Sequence, residues 1–336
     1  MRPGVASILM LVAPAHTVLP GTPRRAILTR GAAVAAAGVL GLDAYMRAPL
    51  PLQSGSGDPW EVLQRLLPAT QPEMLVLVFP GAGGSDANSA AVVNAVRRAR
   101  RGSSVVEVDL HRWLGGELRG AGNARRIGAT LGQRLAEWAS EPPAATGGLR
   151  SLHLIGISVG GQAADAACSA FADGCGRRPD APHRRLTLLD PFTASGLLGL
   201  VAAPRAYGVL RFGASPVATL RTLLLCCAPP FFTVAGSLHP SNPVPLPSGE
   251  RADYVEAVIN TDDPVPSTGL PLRRAVTYDV TAAAARTRFS PLPGDSLHSW
   301  PAAWYGANAA ALLSRTGSTP VHAAGGLERG AVVMVP

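Results

Sequence analysis

Beyond Pro59 the chain alternates short, uninterrupted apolar runs with longer stretches in which apolar and polar positions mix. Met74-Leu75-Val76-Leu77-Val78-Phe79 carries no polar side chain and breaks at Pro80-Gly81-Ala82-Gly83-Gly84, as a strand covered on both faces should. Ser89 to Arg101 predicts a helix, Val105-Val106-Glu107-Val108-Asp109 a second strand, Ala124 to Trp138 a long helix, and Ser151 to Ile157 a third strand. Leu186-Thr187-Leu188-Leu189-Asp190-Pro191 reads as a further strand that ends on a carboxylate with proline as its stop, and Tyr254 to Asp263 is a strand-like run with the same ending. Strands separated by single helices imply right-handed crossovers and a mostly parallel central sheet flanked by helices, so the fold class is α/β. In such sheets the chemistry gathers at the carboxyl ends of the strands.

The third strand has such an ending. Leu152-His153-Leu154-Ile155-Gly156-Ile157-Ser158-Val159-Gly160-Gly161 closes in Gly-x-Ser-x-Gly and opens into the alanine-rich Gln162 to Ala167, the strand–turn–helix context of a nucleophile elbow. A serine on so sharp a turn needs glycine two residues before and two after, because neighbouring backbone crowds those positions. Ser158 is the expected nucleophile. The amides of Ala82, in the glycine-rich turn after Phe79, and of Val159 are the expected oxyanion hole. Two acids at strand ends compete to orient the base, Asp190 and Asp263. Of the seven histidines, His298 in Gly294-Asp295-Ser296-Leu297-His298-Ser299-Trp300 follows both acids in the chain order Ser, Asp, His, and is the expected base.

Composition narrows the function classes without choosing one. The net charge is +8, every basic residue is arginine, and residues 1–50 hold Arg2, Arg24, Arg25, Arg30 and Arg47 against Asp43 alone, half of that charge. With 5% aromatic residues and no basic stripe, nucleic-acid binding has no support. No Cys/His spacing suggests zinc, no dinucleotide or phosphate-loop pattern occurs, and neither cofactor nor metal is expected. Cys168 and Cys175 are a candidate pair, whereas the adjacent Cys226 and Cys227 would bond each other only with strain. Residues 1–55 read as a targeting leader and linker. Arg2 precedes the apolar run Val5 to Val12, Ala13-Pro14-Ala15 offers small residues for cleavage, and Arg24-Arg25 precedes the mild apolar stretch Gly31 to Leu42. Such a leader suits a plastid reached through a bipartite signal, or secretion, and no stretch is long enough to span a bilayer. The hydrolytic domain is expected over 60–310, with an insertion at about 195–245, and 311–336 as a poorly ordered tail. Within the insertion, Leu197 to Phe232 is apolar and broken by Arg205, Arg211 and Arg221, as in an amphipathic cap or an inserted pair of buried helices.

The motifs together resemble a family. Leu77-Val78-Phe79-Pro80-Gly81, Val106 to Asp109, Asn123 to Gly128, Leu152 to Gly161, Leu188-Leu189-Asp190-Pro191 and Ala252 to Thr261 fall in the order and much of the wording of the pancreatic lipase and lipoprotein lipase family, which includes phospholipases of the A1 type. The resemblance spans roughly residues 73–308. It implies an α/β-hydrolase fold and a serine hydrolase acting on glycerolipid esters at a membrane or lipid-droplet surface, with Asp190 as triad acid and His298 as base. Three departures stand out. Ile157 replaces the usual histidine before the nucleophile, Pro80 replaces the histidine of the first glycine loop, and the paired cysteines that bracket the family's lid are missing. Asp262-Asp263-Pro264-Val265-Pro266 looks like the acid turn of general α/β-hydrolases, which keeps a carboxylesterase with Asp263 as its acid as the alternative. A non-catalytic lipid-binding relative is a third reading, against which the intact Ser158, Asp190 and His298 argue.

Overall fold

A computed structural model of the chain describes residues 57–115, 117–141, 148–176, 178, 180–193, 251–263, 265, 267–292, 295–314 and 329–336, with positions 37, 38, 40, 41 and 44. In chain order its elements are α1 (Pro59–Leu66), β1 (Met74–Phe79), α2 (Ala87–Ala99), β2 (Ser104–Glu107), α3 (His111–Leu114), α4 (Glu117–Ser140), β3 (Ser151–Ile157) and α5 (Gly160–Cys175). There follow β4 (His183–Leu189), β5 (Tyr254–Ile259), β6 (Val276–Asp279), α6 (Trp300–Ser314) and β7 (Val332–Met334). The seven strands form one all-parallel sheet in the order β2-β1-β3-β4-β5-β6-β7. The chain starts at β1, steps outward to β2, and returns across β1 to β3, after which every strand is added on the same side. That reversal creates a topological switch point between the carboxyl ends of β1 and β3, where crossovers leave in opposite directions.

The apolar runs behave as strands covered twice. In β1 the side chains of Leu75, Leu77 and Phe79 enter one layer with Leu131 and Leu135 of α4 and Phe171 of α5. Val76 and Val78 enter the other, with Val92 and Val96 of α2 and Trp304 and Tyr305 of α6. The period of two in a strand thus supplies both halves of the core from one run. Helix ends differ from expectation where capping decides. α2 begins at Ala87, ahead of the expected Ser89, because Asp86 accepts from the Ser89 amide at 2.7 Å while its own amide donates to the Ser89 hydroxyl at 3.0 Å. α4 begins seven residues ahead of the expected Ala124, since Gly120 and Gly122 weaken the sequence signal of a turn that tertiary packing nevertheless holds in place.

Helices α4 and α5 meet backbone to backbone. A Cβ on Gly128 would stand 2.2 Å from the Ala163 carbonyl oxygen, and one on Gly132 would stand 2.3 Å from that of Ala167. Glycines on α4 and alanines on α5, each four apart, therefore set how closely the helix that begins behind Ser158 lies against its neighbour. A buried polar chain crosses β3, β4 and β5. His153 Nε2 lies 2.8 Å from the Thr187 hydroxyl, which donates to Glu256 Oε1 at 2.7 Å, and Arg185 Nη2 donates to the same oxygen at 2.7 Å. Burial, reinforced by the Arg185 charge, pushes the His153 imidazole well below its usual pKa and keeps it neutral. His153 is a satisfied core histidine.

Two expectations are corrected. The stretch 311–336 is not wholly a tail: α6 continues to Ser314, and Val332–Met334 pairs with β6 as the edge strand. Gly330, at φ +91, turns the chain into that strand, and its amide donates to the Ala275 carbonyl at 3.0 Å. A three-residue strand leaves little trace in a Gly-, Ser- and Ala-rich sequence, because edge pairing rather than local preference holds it. Cys168 and Cys175 are both free. Seven residues apart on one helix, they lie about 10 Å apart along its axis, beyond the reach of a disulfide. The insertion at about 195–245, with Leu197 to Phe232, lies outside the described residues, as does nearly all of the leader. Among the described residues no helix is long and apolar enough to cross a membrane.

Candidate active site

Ser158 occupies the turn between β3 and α5 with φ +52, a left-handed backbone that a residue with a side chain seldom adopts. Its amide donates to the Leu189 carbonyl at the end of β4 (2.9 Å), and its carbonyl accepts from the amides of Gly161 (3.0 Å) and Phe192 (3.1 Å). The strained turn is therefore tied into the next strand from both sides. A Cβ on Gly156 would lie 2.5 Å from the Gly161 Cα, and one on Gly160 would lie 2.2 Å from the Phe79 carbonyl oxygen. Neither position admits a side chain, which is the crowding the sequence pattern anticipates.

The loop after β1 lies directly against this turn. A Cβ on Gly81 would stand 3.5 Å from that of Ser158. The loop closes when the Gly84 amide donates to the Gly81 carbonyl (3.1 Å), with Gly84 at φ +83, and the His111 Nδ1–H holds the Ala82 carbonyl at 2.8 Å. Asp109 in turn accepts from the His111 amide at 2.8 Å, so the start of α3 braces the loop. Among the described residues the amides of Ala82 and Val159 have no hydrogen-bond partner. Both N–H groups stand free at the switch point beside Ser158, as donors to a developing oxyanion must.

His298 lies in a 3-10 turn, Leu297–Ser299, immediately before α6. The Ser296 hydroxyl accepts from the His298 amide (3.2 Å), the Asn260 side-chain amide at the end of β5 donates to the Leu297 carbonyl (3.1 Å), and the Trp300 indole donates to the Val280 carbonyl (2.9 Å). Both candidate acids reach its ring. Asp263 Oδ2 lies 2.5 Å from His298 Nδ1 and Asp190 Oδ2 lies 3.3 Å from it, and both carboxyls are 1% exposed. Asp263 is the nearer partner and the better supported: the Thr268 hydroxyl donates to its Oδ2 and the Val265 amide to its Oδ1 at 3.0 Å. Asp190, at φ +44, accepts on Oδ1 from the Gly269 amide at 2.8 Å. The expectation that Asp190 alone takes the place facing Nδ1 is therefore revised in favour of a joint arrangement with Asp263 in front. The opposite ring nitrogen, Nε2, is buried and without a hydrogen-bond partner among the described residues, Ser158 included. Nucleophile–base hydrogen bonds commonly tighten only when substrate is bound.

The electrostatics follow the geometry. Burial pushes the Asp190 carboxyl well above the usual carboxylate range, opposed by its hydrogen bond to His298 and reinforced by the Asp263 charge. Burial acts the same way on Asp263, yet the hydrogen bond and charge of His298 outweigh it and hold this carboxyl below the usual range. For His298, burial alone would lower the pKa, but hydrogen bonds and charge from the two acids raise it instead. The three side chains are close enough together to suggest cation ligands. Nitrogen and oxygen ligands around a tetrahedral zinc, at about 2.0 Å from the metal, would stand about 3.3 Å apart. The 2.5 Å contact is a hydrogen bond that a cation would have to prise open.

Sequence reasoning treats the two acids as rivals and leaves out Thr268, Gly269, Asn260 and His111, whose hydrogen bonds hold them or the rest of the site. The only local signal was the polar turn Ser267-Thr268-Gly269 next to the Asp263 turn, which also places Ser267 at φ +64. No protein-family model matches the chain, and no curated protein matches it.

Proposed function

We propose that this chain is a serine hydrolase that cleaves carboxylic ester bonds through an acyl-enzyme, with glycerolipids as its substrate class. One observation carries the reading: a serine held at φ +52 on a glycine-crowded strand–helix turn, at the same sheet edge as a histidine whose Nδ1 is held by carboxylates and whose Nε2 has no partner among the described residues. Adjacent strand ends stand about 4.8 Å apart, so residues after β3, β4 and β5 lie within side-chain reach of one substrate. Ser158 Oγ attacks the acyl carbonyl and gives its proton to His298 Nε2, while the amides of Ala82 and Val159 take the negative charge on the carbonyl oxygen. Collapse of the tetrahedral species passes that proton to the departing alkoxide. Water, deprotonated by the same nitrogen, then releases the fatty acid and restores the serine.

The glycerolipid class rests on the likeness of the strand motifs to pancreatic-type lipases, as does the expected work at a membrane or lipid-droplet surface. The targeting proposal, plastid or secretion, rests on the leader sequence alone. A general carboxylesterase is the second reading, favoured by the closeness of Asp263, the acid after the later strand, to Nδ1. The test is fatty-acid release from triacylglycerol, phospholipid and galactolipid, beside a soluble short-chain ester and labelling by a fluorophosphonate. Ser158→Ala is expected to abolish labelling and to lower hydrolysis by several orders of magnitude at an unchanged melting temperature. Labelling that survives in Ser158→Ala overturns the assignment. Equal rates on monomeric and aggregated ester favour the carboxylesterase.

A further inference from the structure

His298 Nδ1 carries a single proton and faces two carboxyls. A lone N–H makes one strong bond, and the 2.5 Å contact gives it to Asp263 rather than to Asp190 at 3.3 Å. Asp263 also collects the Thr268 hydroxyl and the Val265 amide, so three donors converge on it, as suits an ionised carboxylate. Asp190 has, among the described residues, one close donor, the Gly269 amide on Oδ1, no water contact beyond 1% of its side chain, and a carboxyl oxygen within 4.8 Å of one on Asp263. Two carboxyls can hydrogen-bond each other only if one of them is protonated. Two adjacent buried carboxylates with a neutral imidazole would leave two uncompensated charges out of water, the more costly state.

We propose that Asp190 and Asp263 act on His298 as one two-carboxyl unit with a single shared proton, Asp263 bearing the charge against Nδ1 and Asp190 donating its proton to Asp263. The inference rests on the serine-hydrolase reading for its part in turnover, but the proton arrangement exists without substrate. With His298 neutral, the form in which it acts as base, the cluster has one negative charge. When Nε2 accepts the serine proton the cluster becomes neutral, and it returns when that proton leaves with the alkoxide. The shared proton stays between the acids throughout, so nothing beyond the ester and water is consumed. Asp263 is then the triad acid and Asp190 a positioning residue that acts through it. Burial of Asp190, which raises its carboxyl above the usual range, favours the same assignment.

The test uses the full chain with Asp190→Asn, Asp190→Ala and Asp263→Asn, each read by the pH profile of kcat/KM on a soluble ester and by the downfield proton resonance of the His298 Nδ1–H. The asparagine at 190 replaces the carboxyl O–H with an amide N–H toward Asp263, so it is expected to keep the resonance and the acid limb and to lose less turnover than Asp190→Ala, the rescue expected of a donor. Asp190→Ala removes that donor and is expected to cost roughly tenfold or more in kcat with KM held, as for other outer partners of a working imidazole. Asp263→Asn is expected to cost about 10⁴-fold, to move the acid limb to lower pH because the imidazolium loses its anion, and to abolish the resonance. The reverse pattern, with Asp190→Asn losing turnover and resonance and Asp263→Asn mild, overturns the proposal. So does a wild-type Asp190→Ala. The resonance is read without substrate, so a protein that never labels with a fluorophosphonate fails as a hydrolase while the shared proton is still decided.

Discussion

Thr268 shows how much of the site hangs on single hydroxyls. Its Oγ1 lies within hydrogen-bond distance of both Asp263 and the Val265 carbonyl, and its single proton goes to the carboxylate, which it helps to hold ionised. Thr268→Val keeps the shape and removes the donor, which raises the Asp263 pKa and weakens the anion that His298 needs. Hydrogen bonds to charged groups contribute roughly 1.5–3 kcal/mol, so kcat is expected to fall by about tenfold or more with KM little changed. A rise in KM with kcat unchanged would place Thr268 at the substrate instead. Residues of this kind escape sequence reading because their role depends on what folds against them. Ser158, Gly156 and Gly160 were legible, since the strain of the elbow is a local property of five consecutive residues. His298 and the two acids were legible only as candidates. Which carboxyl faces Nδ1 is decided by distances of 2.5 and 3.3 Å between side chains 35 and 108 residues from the histidine, and no local pattern encodes that.

Among the elements, the contact of α4 with α5 makes glycine mean opposite things in two helices. Gly132 has no room, with the Ala167 carbonyl where its Cβ would be, whereas a Cβ on Gly306 in α6 would meet only ordinary contact, 3.8 Å from the Ala91 carbonyl. Gly132→Val therefore forces the helices apart and is expected to cost about 1–3 kcal/mol, lowering the melting temperature by several degrees. Because α5 begins just behind Ser158, hydrolysis should also fall at temperatures where the variant is still folded. Gly306→Ala is expected to raise stability by roughly 0.5–1 kcal/mol, since only the glycine's backbone entropy is removed. Calorimetry on both, with the same sign of change, would show that backbone approach is not what fixes these helices. The long apolar runs β1 and β3 announced themselves by composition. β7 did not: Val332 and Met334 are largely exposed, and the strand is held by pairing with β6 and by Val333 against the core, both tertiary effects.

For the whole molecule, protonation ties the fold to pH through groups that the catalytic reading does not use. Asp165, in the second turn of α5, is buried with neither carboxyl oxygen hydrogen-bonded among the described residues, beside a cavity of about 10 Å³ lined also by Leu186, Leu188, Val255, Leu272 and Arg274, roughly the room one water needs. Burial raises its pKa from 3.8 to about 7, partly offset by Arg125. The folded protein thus keeps a proton that the unfolded chain releases near pH 4. Below that value both states are protonated and Asp165 contributes no difference. Above it the unfolded state gains by ionising, so stability declines as pH rises from about 4 to about 7, by an amount on the order of a few kcal/mol. Asp190, also raised by burial, adds a decline of the same sign, whereas Asp253, held low by Arg184, stabilises the fold at neutral pH and loses that contribution as pH falls through the acid range. Asp165→Asn removes the titration and leaves an uncharged amide of the same shape in the same site. Its melting temperature is expected to match wild type near pH 4 and to exceed it increasingly toward pH 7, where the wild-type carboxyl begins to ionise inside the core. A constant offset between the two proteins across that range would mean that Asp165 is already charged when folded, with a partner supplied by rearrangement of α5.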